Sequence, residues 1–343
     1  MNTKTFQKQL ADLSFQNLAN VDKVKEIFST DIEELQRSED NSLDLIFLRP
    51  KINDLRRINE YFIYMNGKLI QDGLCVCQCE TIEQRNYRIY KKSKKYTYII
   101  RPVDFIYKRI FPKLKLTRRI YFAISKGNNR VLSKSEVLGR FYYCGFKLIK
   151  MEEVDNRLHF IVKKVKEPSH DPNPSYSPLF RMKKIGRNNE PVYIYKLRTM
   201  YPYSEYLRDF VLEKNGYALS GDGVGKVKDD FRVTCWGKIF RKYWLDELPQ
   251  ILNVLKGDLK LVGHRPLTES FLKVYPKEFL KWRAKFKPGL LPPYAAHIHR
   301  SIEEYIESEM KYFKSYEKHP LLTDVRYFFW IIYNILAGKI KSQ

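Results

Sequence analysis

The chain has 343 residues, 44% of them hydrophobic, with 63 Lys and Arg against 39 Asp and Glu, a formal charge of +24. The length suggests two domains at roughly 100 to 200 residues each, and the apolar fraction excludes a mainly disordered chain. A field this basic favours anionic partners, namely nucleic acid, anionic lipid headgroups or phosphorylated substrates.

The first fifteen residues, MNTKTFQKQLADLSF, lack an apolar core of signal-peptide length, so a reducing cytoplasmic setting is expected. Elements then alternate. "LDLIFLRP" predicts a short strand, "INDLRRINEYFIYMNGKL" a helix ending near Gly67, and "GLCVCQCE" a second strand. Five cysteines give neither an even disulfide framework nor a paired C-x-x-C pattern, and the alternation of Cys75, Cys77 and Cys79 fits a buried strand. "RRIYFAISKGNNR" is basic and aromatic, and two readings stay open: a platform for stacked bases, or a solvated helix and turn. "SKSEVLGRFYYCGF" predicts a helix with a capping box of Ser133 and Glu136. "KLIKMEEVDNRLHFIVKKV" predicts two strands around an Asp155-Asn156 turn. This order resembles the C-terminal half of a methyltransferase fold, without that family's glycine-rich cofactor loop before Leu43. Residues 1–165 are therefore expected to be a methyltransferase-like α/β domain without cofactor.

Residues 166–180, "KEPSHDPNPSYSPLF", hold four prolines and read as the linker. A second α/β domain is expected over 177–343. It opens as a hairpin turning at Arg187-Asn188-Asn189, with Val192, Ile194, Lys196 and Arg198 on one face of the second strand. "SGDGVGKVKDD" lacks the spacing of a phosphate loop and reads as a loop. Near the end, "YFFWIIYNILAG" is about a dozen residues long where a membrane span needs roughly 20. It is read either as a helix on its own core or as an interfacial one.

The stretch "KYWLDELPQILNVLKGD", residues 242–258, carries adjacent carboxylates. Leu248, Ile251, Leu252 and Leu255 recur at helical spacing and are expected to face the core. Pro249 is tolerated only in a first turn, so the helix should start at Leu245 or Asp246, with Gly257 ending it. Asp246 and Glu247 then sit at the positive helix end. That position suits a cap, and it equally suits a nucleophile or a ligand for a hard cation. Arg241 lies upstream, and Arg265 and Lys287 lie downstream beside sharp turns. With Lys196 these would make a site for a metal-bridged diphosphate.

In order, "PLFRMKKIGRNNEPVYIYKLRTM", "DDFRVTCWGKIFRKYWLDELPQILNVLKGDLKLVGHRP" and "KFKPG" resemble the bacterial sugar transferase family, monotopic polyprenyl-phosphate phosphoglycosyl transferases that initiate surface glycan assembly. The resemblance runs from about Ser177 to Gly289. It implies a small α/β sugar transferase domain that moves a phospho-sugar from a UDP-sugar to a polyprenyl phosphate with Mg²⁺. It also implies that Asp246 is the nucleophile and that Glu247 holds or orients the metal. Lys196, Arg241 and Arg265 would steady phosphate charge, with Arg198 and Lys287 as further phosphate-binding candidates. Where that family has a re-entrant membrane helix, this chain has "FIVKKVKEPSHDPNPSYSP". It reads "VGHRP" for "VGPRP", and "LLPPYAA" where "ITGxxQV" is usual. The expected setting is peripheral, at the inner face of the cytoplasmic membrane, with no nucleic acid partner and either a homo-oligomer or glycan assembly proteins as company. A non-catalytic scaffold in such an assembly is the alternative reading.

Overall fold

A computed structural model describes residues 22–171, 177–214, 230–272, 275–297 and 302–340. The N-terminal fifteen residues, most of the expected linker's centre and the "SGDGVGKVKDD" stretch up to residue 229 lie outside these. Two compact units emerge: the described residues up to 171 with Pro202–Leu207, and 177–201 with the described residues from Arg208 onward.

The first unit is mixed α/β. Strands β1 (Val24–Ile27), β2 (Leu43–Lys51), β3 (Leu69–Cys79), β4 (Phe146–Val154) and β5 (Arg157–Lys164) form one sheet in the order β1-β2-β3-β5-β4. β1, β2 and β3 are parallel, and β5 runs antiparallel between β3 and β4. Leu45, Ile46, Phe47 and Leu48 are all buried, as a strand covered on both faces requires. The same holds for Cys75, Val76, Cys77 and Cys79, and burial pushes the Cys77 and Cys79 thiols well up. The intervening helices are α1 (Glu33–Gln36), α2 (Ile58–Lys68), α3 (Ile82–Lys92), α4 (Thr97–Phe105), α5 (Lys115–Ser125) and α6 (Lys134–Tyr143). Phe62 of α2 stacks on Phe141 of α6 at 4.6 Å, sealing the core. Asp155 and Asn156 take φ of 50° and 58°, the turn that matches sheet twist between β4 and β5.

The expected capping box at α6 is half present. Ser133 accepts the Glu136 N–H, but the Glu136 carboxylate is taken by Arg109 and Arg140, because a buried acid gains more from two guanidiniums than from one amide. The complete box is at α3, between Thr81 and Gln84.

The second unit opens with the antiparallel hairpin β6 (Leu179–Ile185) and β7 (Pro191–Leu197). Asn188 and Asn189, at φ 55° and 62°, make its turn. Then follow α7 (Arg208–Lys214), α8 (Cys235–Lys242), α9 (Ile251–Leu255), β8 (Lys260–Val262), α10 (Glu269–Leu272), α11 (Lys277–Lys285), β9 (Gly289–Leu291), α12 (Ile302–Lys318) and α13 (Pro320–Leu336). β8 and β9 pair in parallel. A Cβ on Gly289 would stand 2.2 Å from the Gly263 nitrogen, so this crossing needs glycine. The core is aromatic, with Trp244, Tyr275, Phe279, Tyr312 and Phe313 buried together. Tyr327, Ile331 and Ile335 turn α13 onto that core at i, i+4 and i+8, while Phe329, Tyr333 and Leu336 stay exposed. The core reading of this helix therefore holds for its buried face, and its other face is apolar and exposed. No helix among the described residues is long and apolar enough to cross a membrane.

Candidate active site

The adjacent carboxylates follow an unusual backbone. Trp244 takes φ 58°, a left-handed conformation that bulky residues rarely adopt and that costs about 1–3 kcal/mol. Its ring is buried in the aromatic core, which holds it there. From this bend a 3₁₀ turn spans Leu245–Gln250 before α9 begins. The start at Leu245 is the one Pro249 requires, but the turn is tighter than an α-helix. In a 3₁₀ turn residues i and i+3 eclipse, so the Gln250 amide lies over Glu247 and donates to its Oε2.

The expected core face is reversed. Leu248, Ile251, Leu252 and Leu255 are exposed, Leu255 to 79%, while Asp246, Glu247, Gln250 and Asn253 are buried. Asn253 explains the inversion. Its Oδ1 accepts the Tyr195 N–H at 3.1 Å and its Nδ2 donates to the Tyr193 carbonyl at 2.7 Å. One amide side chain thereby completes the backbone pairing of β7, which draws the polar face of the segment inward.

That face delivers Glu247 into a cationic cluster. Its Oε1 accepts from Lys196 Nζ at 2.6 Å and from Arg265 Nη2 at 2.7 Å. Lys196 comes from the inward face of β7, after Ile194, and Arg265 from the turn behind β8. The Arg265 fork is fixed further by Nη1 donating to the Tyr294 hydroxyl at 2.9 Å, and its carbonyl accepts from Arg283. Arg283 itself pairs with buried Glu309. Burial alone would raise the Glu247 carboxyl, but Arg265 and Lys196 hold it below its ordinary value. Burial lowers the Lys196 ammonium despite Glu247, with the like charge of Arg265 adding to the fall.

Asp246 is buried beside this cluster, and its charge acts favourably on Lys196 and Arg241. Arg241 lies on α8, whose N-cap Thr234 accepts from the Gly237 N–H. Thr234 also bonds the Thr199 carbonyl through both N–H and hydroxyl, and the Thr199 hydroxyl accepts from Arg241 Nε at 2.9 Å. Burial lowers Arg241, with Asp246 and Asp230 opposing. Asp230 is engaged by Arg232 at 2.6 Å.

Two contributors are new relative to the sequence reading. Arg232 with Asp230 is one. Lys184 is the other: burial first, then Arg265 and Lys196, push its ammonium down to about 8. The register pairs Lys184 with Val192, which places it on the same face as Lys196, so the hairpin pattern held the signal. Of the seven residues singled out from sequence, Asp246, Glu247, Lys196, Arg241 and Arg265 converge. Arg198 lies just beyond β7, donates to the Ser177 carbonyl at 2.8 Å and covers the Phe180 ring. Lys287 closes on the Gly257 carbonyl at 2.7 Å, at the end of α9. His264 is buried against Phe313, and burial holds it well below its ordinary value, so it fills the turn as a neutral ring.

Among the described residues no three His, Cys, Asp or Glu side chains gather into a metal cage. A Mg²⁺ shared with substrate phosphates needs only one or two carboxylates. Glu247 Oε1 is filled by two donors, while Oε2 accepts one and keeps a lone pair. With Asp246 adjacent, the pair fits such an ion. Five cations, Lys184, Lys196, Arg232, Arg241 and Arg265, meet three carboxylates, Asp230, Asp246 and Glu247. The surplus is positive and suits a diphosphate.

Comparison with known proteins places residues 171–338 in the bacterial sugar transferase family. Over 168 residues the chain is 33% identical to the UDP-N-acetylgalactosamine-undecaprenyl-phosphate N-acetylgalactosaminephosphotransferase of Aeromonas hydrophila, covering 47% of this chain and 36% of that one. It is 40% identical over 112 residues to a Streptococcus agalactiae galactosyl transferase, covering 33% and 24%. It is 34% identical over 113 residues to the Salmonella typhimurium undecaprenyl-phosphate galactose phosphotransferase, again covering 33% and 24%. The chain thus spans about a quarter to a third of the length of these relatives.

Proposed function

We propose, from the premise that residues 171–338 form a bacterial sugar transferase domain, that this chain transfers a phospho-sugar from a UDP-sugar to a polyprenyl phosphate. The observation that carries this reading is the buried Asp246–Glu247 pair set among Lys196, Arg241 and Arg265. Its relatives are named for the same class of transfer to undecaprenyl phosphate.

In the proposed reaction an Asp246 oxygen attacks the sugar-linked phosphorus. The bond to the UMP oxygen breaks, UMP leaves, and an aspartyl phosphosugar remains. An oxygen of the lipid phosphate then attacks the same phosphorus, releases the carboxylate and forms the lipid diphosphate sugar. Such transfers depend mainly on positioning and charge. Glu247 holds Lys196 and Arg265 in place to meet the phosphates, and the Tyr294 hydroxyl accepts from the Arg265 fork. Arg241, steadied by Thr199, faces Asp246, and Lys184 adds charge that burial makes sensitive to pH. Mg²⁺, held by Glu247 and Asp246 with the donor, would neutralise diphosphate charge. The exposed apolar side chains of α9 lie directly behind the carboxylates and support a peripheral position on a membrane, where the lipid acceptor resides.

Purified protein is incubated with radiolabelled UDP-sugars and polyprenyl phosphate, with and without Mg²⁺. The expected result is UMP release and an acid-labile protein adduct, both reduced about 10³-fold or more in Asp246→Asn. Absence of UMP release across the donors, or an adduct that persists in Asp246→Asn, overturns the catalytic assignment and leaves the scaffold reading. For the first unit, the order β1-β2-β3-β5-β4 supports a methyltransferase-like scaffold; the proposal that it performs no methyl transfer predicts no calorimetric signal with S-adenosylmethionine.

A further inference from the structure

Between α3 and α6 the first unit carries an inserted helical segment whose composition departs from its surroundings. Residues 91–126 contain twelve Lys and Arg and a single acid, Asp104. Asp104 is consumed inside the unit, where Arg85 of α3 grips it with Nε and Nη2 at 2.6 and 2.7 Å. The segment is anchored from one side only. Tyr121 of α5 is buried and meets Tyr107 edge-on at 5.4 Å, Thr117 bonds the Phe111 carbonyl, and Arg109 is buried with Glu136.

The opposite side is apolar and exposed. On α5, Leu116, Ile120 and Ile124 recur at i+4 spacing as one stripe, Leu116 being 88% exposed. Tyr98, Ile99 and Val103 of α4 are exposed as well. Arg118 and Arg119 flank the α5 stripe and are exposed, as are Lys91, Lys92, Lys94 and Lys95 ahead of α4. Exposed aliphatic stripes on short helices, bordered by cations and lacking acids, are what an anionic lipid surface accepts: the side chains enter the acyl boundary while Lys and Arg stay with the headgroups. Nucleic acid fits less well, since Leu and Ile offer no face on which bases stack.

We infer that residues 96–124 of the first unit form a docking face for an anionic lipid bilayer. This attachment belongs to the first unit and does not depend on the transfer chemistry proposed for the second. It gives the chain a lipid contact additional to the exposed α9 face.

The test uses the full chain and vesicles of equal phosphatidylglycerol and phosphatidylcholine. A polarity-sensitive fluorophore is placed through Leu116→Cys in a Cys235→Ser background, because Cys235 is exposed and the other four cysteines are buried. On adding vesicles its emission shifts to the blue, and pure phosphatidylcholine vesicles or high salt diminish the shift. In flotation, Ile120→Asp combined with Ile124→Asp lowers vesicle affinity about tenfold or more, with unchanged far-ultraviolet circular dichroism to confirm folding. Arg118→Glu with Arg119→Glu does the same through charge alone. Asp246→Asn floats like the parent, so loss of catalysis and loss of docking read out separately. No emission shift at position 116, or flotation indifferent to both double variants, overturns the inference. So does self-association or RNA binding that these substitutions abolish while vesicle binding persists.

Discussion

Glu247 is the residue on which the site turns, because it compensates two buried cations at once. Replacing it by Gln removes the carboxylate that Lys196 and Arg265 share, and a loss of about 3–5 kcal/mol is expected. All four tryptophans, Trp236, Trp244, Trp282 and Trp330, lie in the second unit, so urea unfolding followed by tryptophan fluorescence reads that loss without interference from the first. Lys184 sets a pH dependence. Its ammonium is pushed down to about 8 against about 10.4 unfolded, so above pH 8 the site sheds a positive charge and the KM for the proposed UDP-sugar donor is expected to rise. Stability moves the other way: in that window the unfolded chain binds the proton more tightly, so folding is favoured as pH rises toward the unfolded value. A Lys184→Arg variant, charged throughout, should flatten the KM profile; an unchanged alkaline rise would remove Lys184 from the donor site. Lys184 escaped sequence reading because "RMKKIG" shows only a basic run, and which lysine turns inward depends on pairing with β7.

At the scale of elements, the 3₁₀ turn and α9 show how far periodicity reaches. The i, i+3, i+4 spacing of Leu248, Ile251, Leu252 and Leu255 correctly marks one face of a helix, yet it carries no sign saying which face is inside. The polar set Asp246, Glu247, Gln250 and Asn253, at i, i+1, i+4 and i+7, marks the other face equally well, and its Asn253 has the edge of β7 to satisfy. Leu255→Glu is therefore expected to change unfolding free energy by no more than about 0.5 kcal/mol, as for other exposed positions. Asn253→Ala should cost about 1–3 kcal/mol by orphaning two backbone groups of β7. A helix built to bury its leucines would give the reverse ranking in the same urea experiment. α8 is similarly constrained. A Cβ on Gly237 would stand 2.1 Å from the Thr199 carbonyl, so Gly237→Ala must move α8 and with it Arg241. A shift of about an ångström there is expected to lower kcat about a hundredfold, measured as UMP release.

For the whole molecule, a charge of +24 is distributed over surfaces that also expose apolar side chains. Polynucleotide retention is accordingly expected to be nonspecific, falling steeply as salt rises and showing no sequence preference on competition. A sequence-selective, salt-resistant complex would point instead to base readout. The C-terminal helix α13 belongs to this scale as well. Its dozen apolar residues are divided between a core contact and an exposed face, a division the apolar run itself does not encode.

Local chemistry was enough to determine much of this protein. The alternating elements of the first unit, the Asn-rich hairpin turn, the buried cysteine strand and a helical start at Leu245 all follow from short-range sterics and backbone geometry, which residues impose wherever they sit. The carboxylate pair and its partners Lys196, Arg241 and Arg265 were legible because ordered motifs of this length carry them together. Tertiary structure alone decided which face of α9 is buried, which lysine of β6 joins the site, and that Lys287 closes the end of α9 instead of joining the carboxylate cluster. It also decided that Leu116, Ile120 and Ile124 remain outside. Each of these turns on a partner distant in sequence, and burial is a property of the partner's position as much as of the residue's own chemistry.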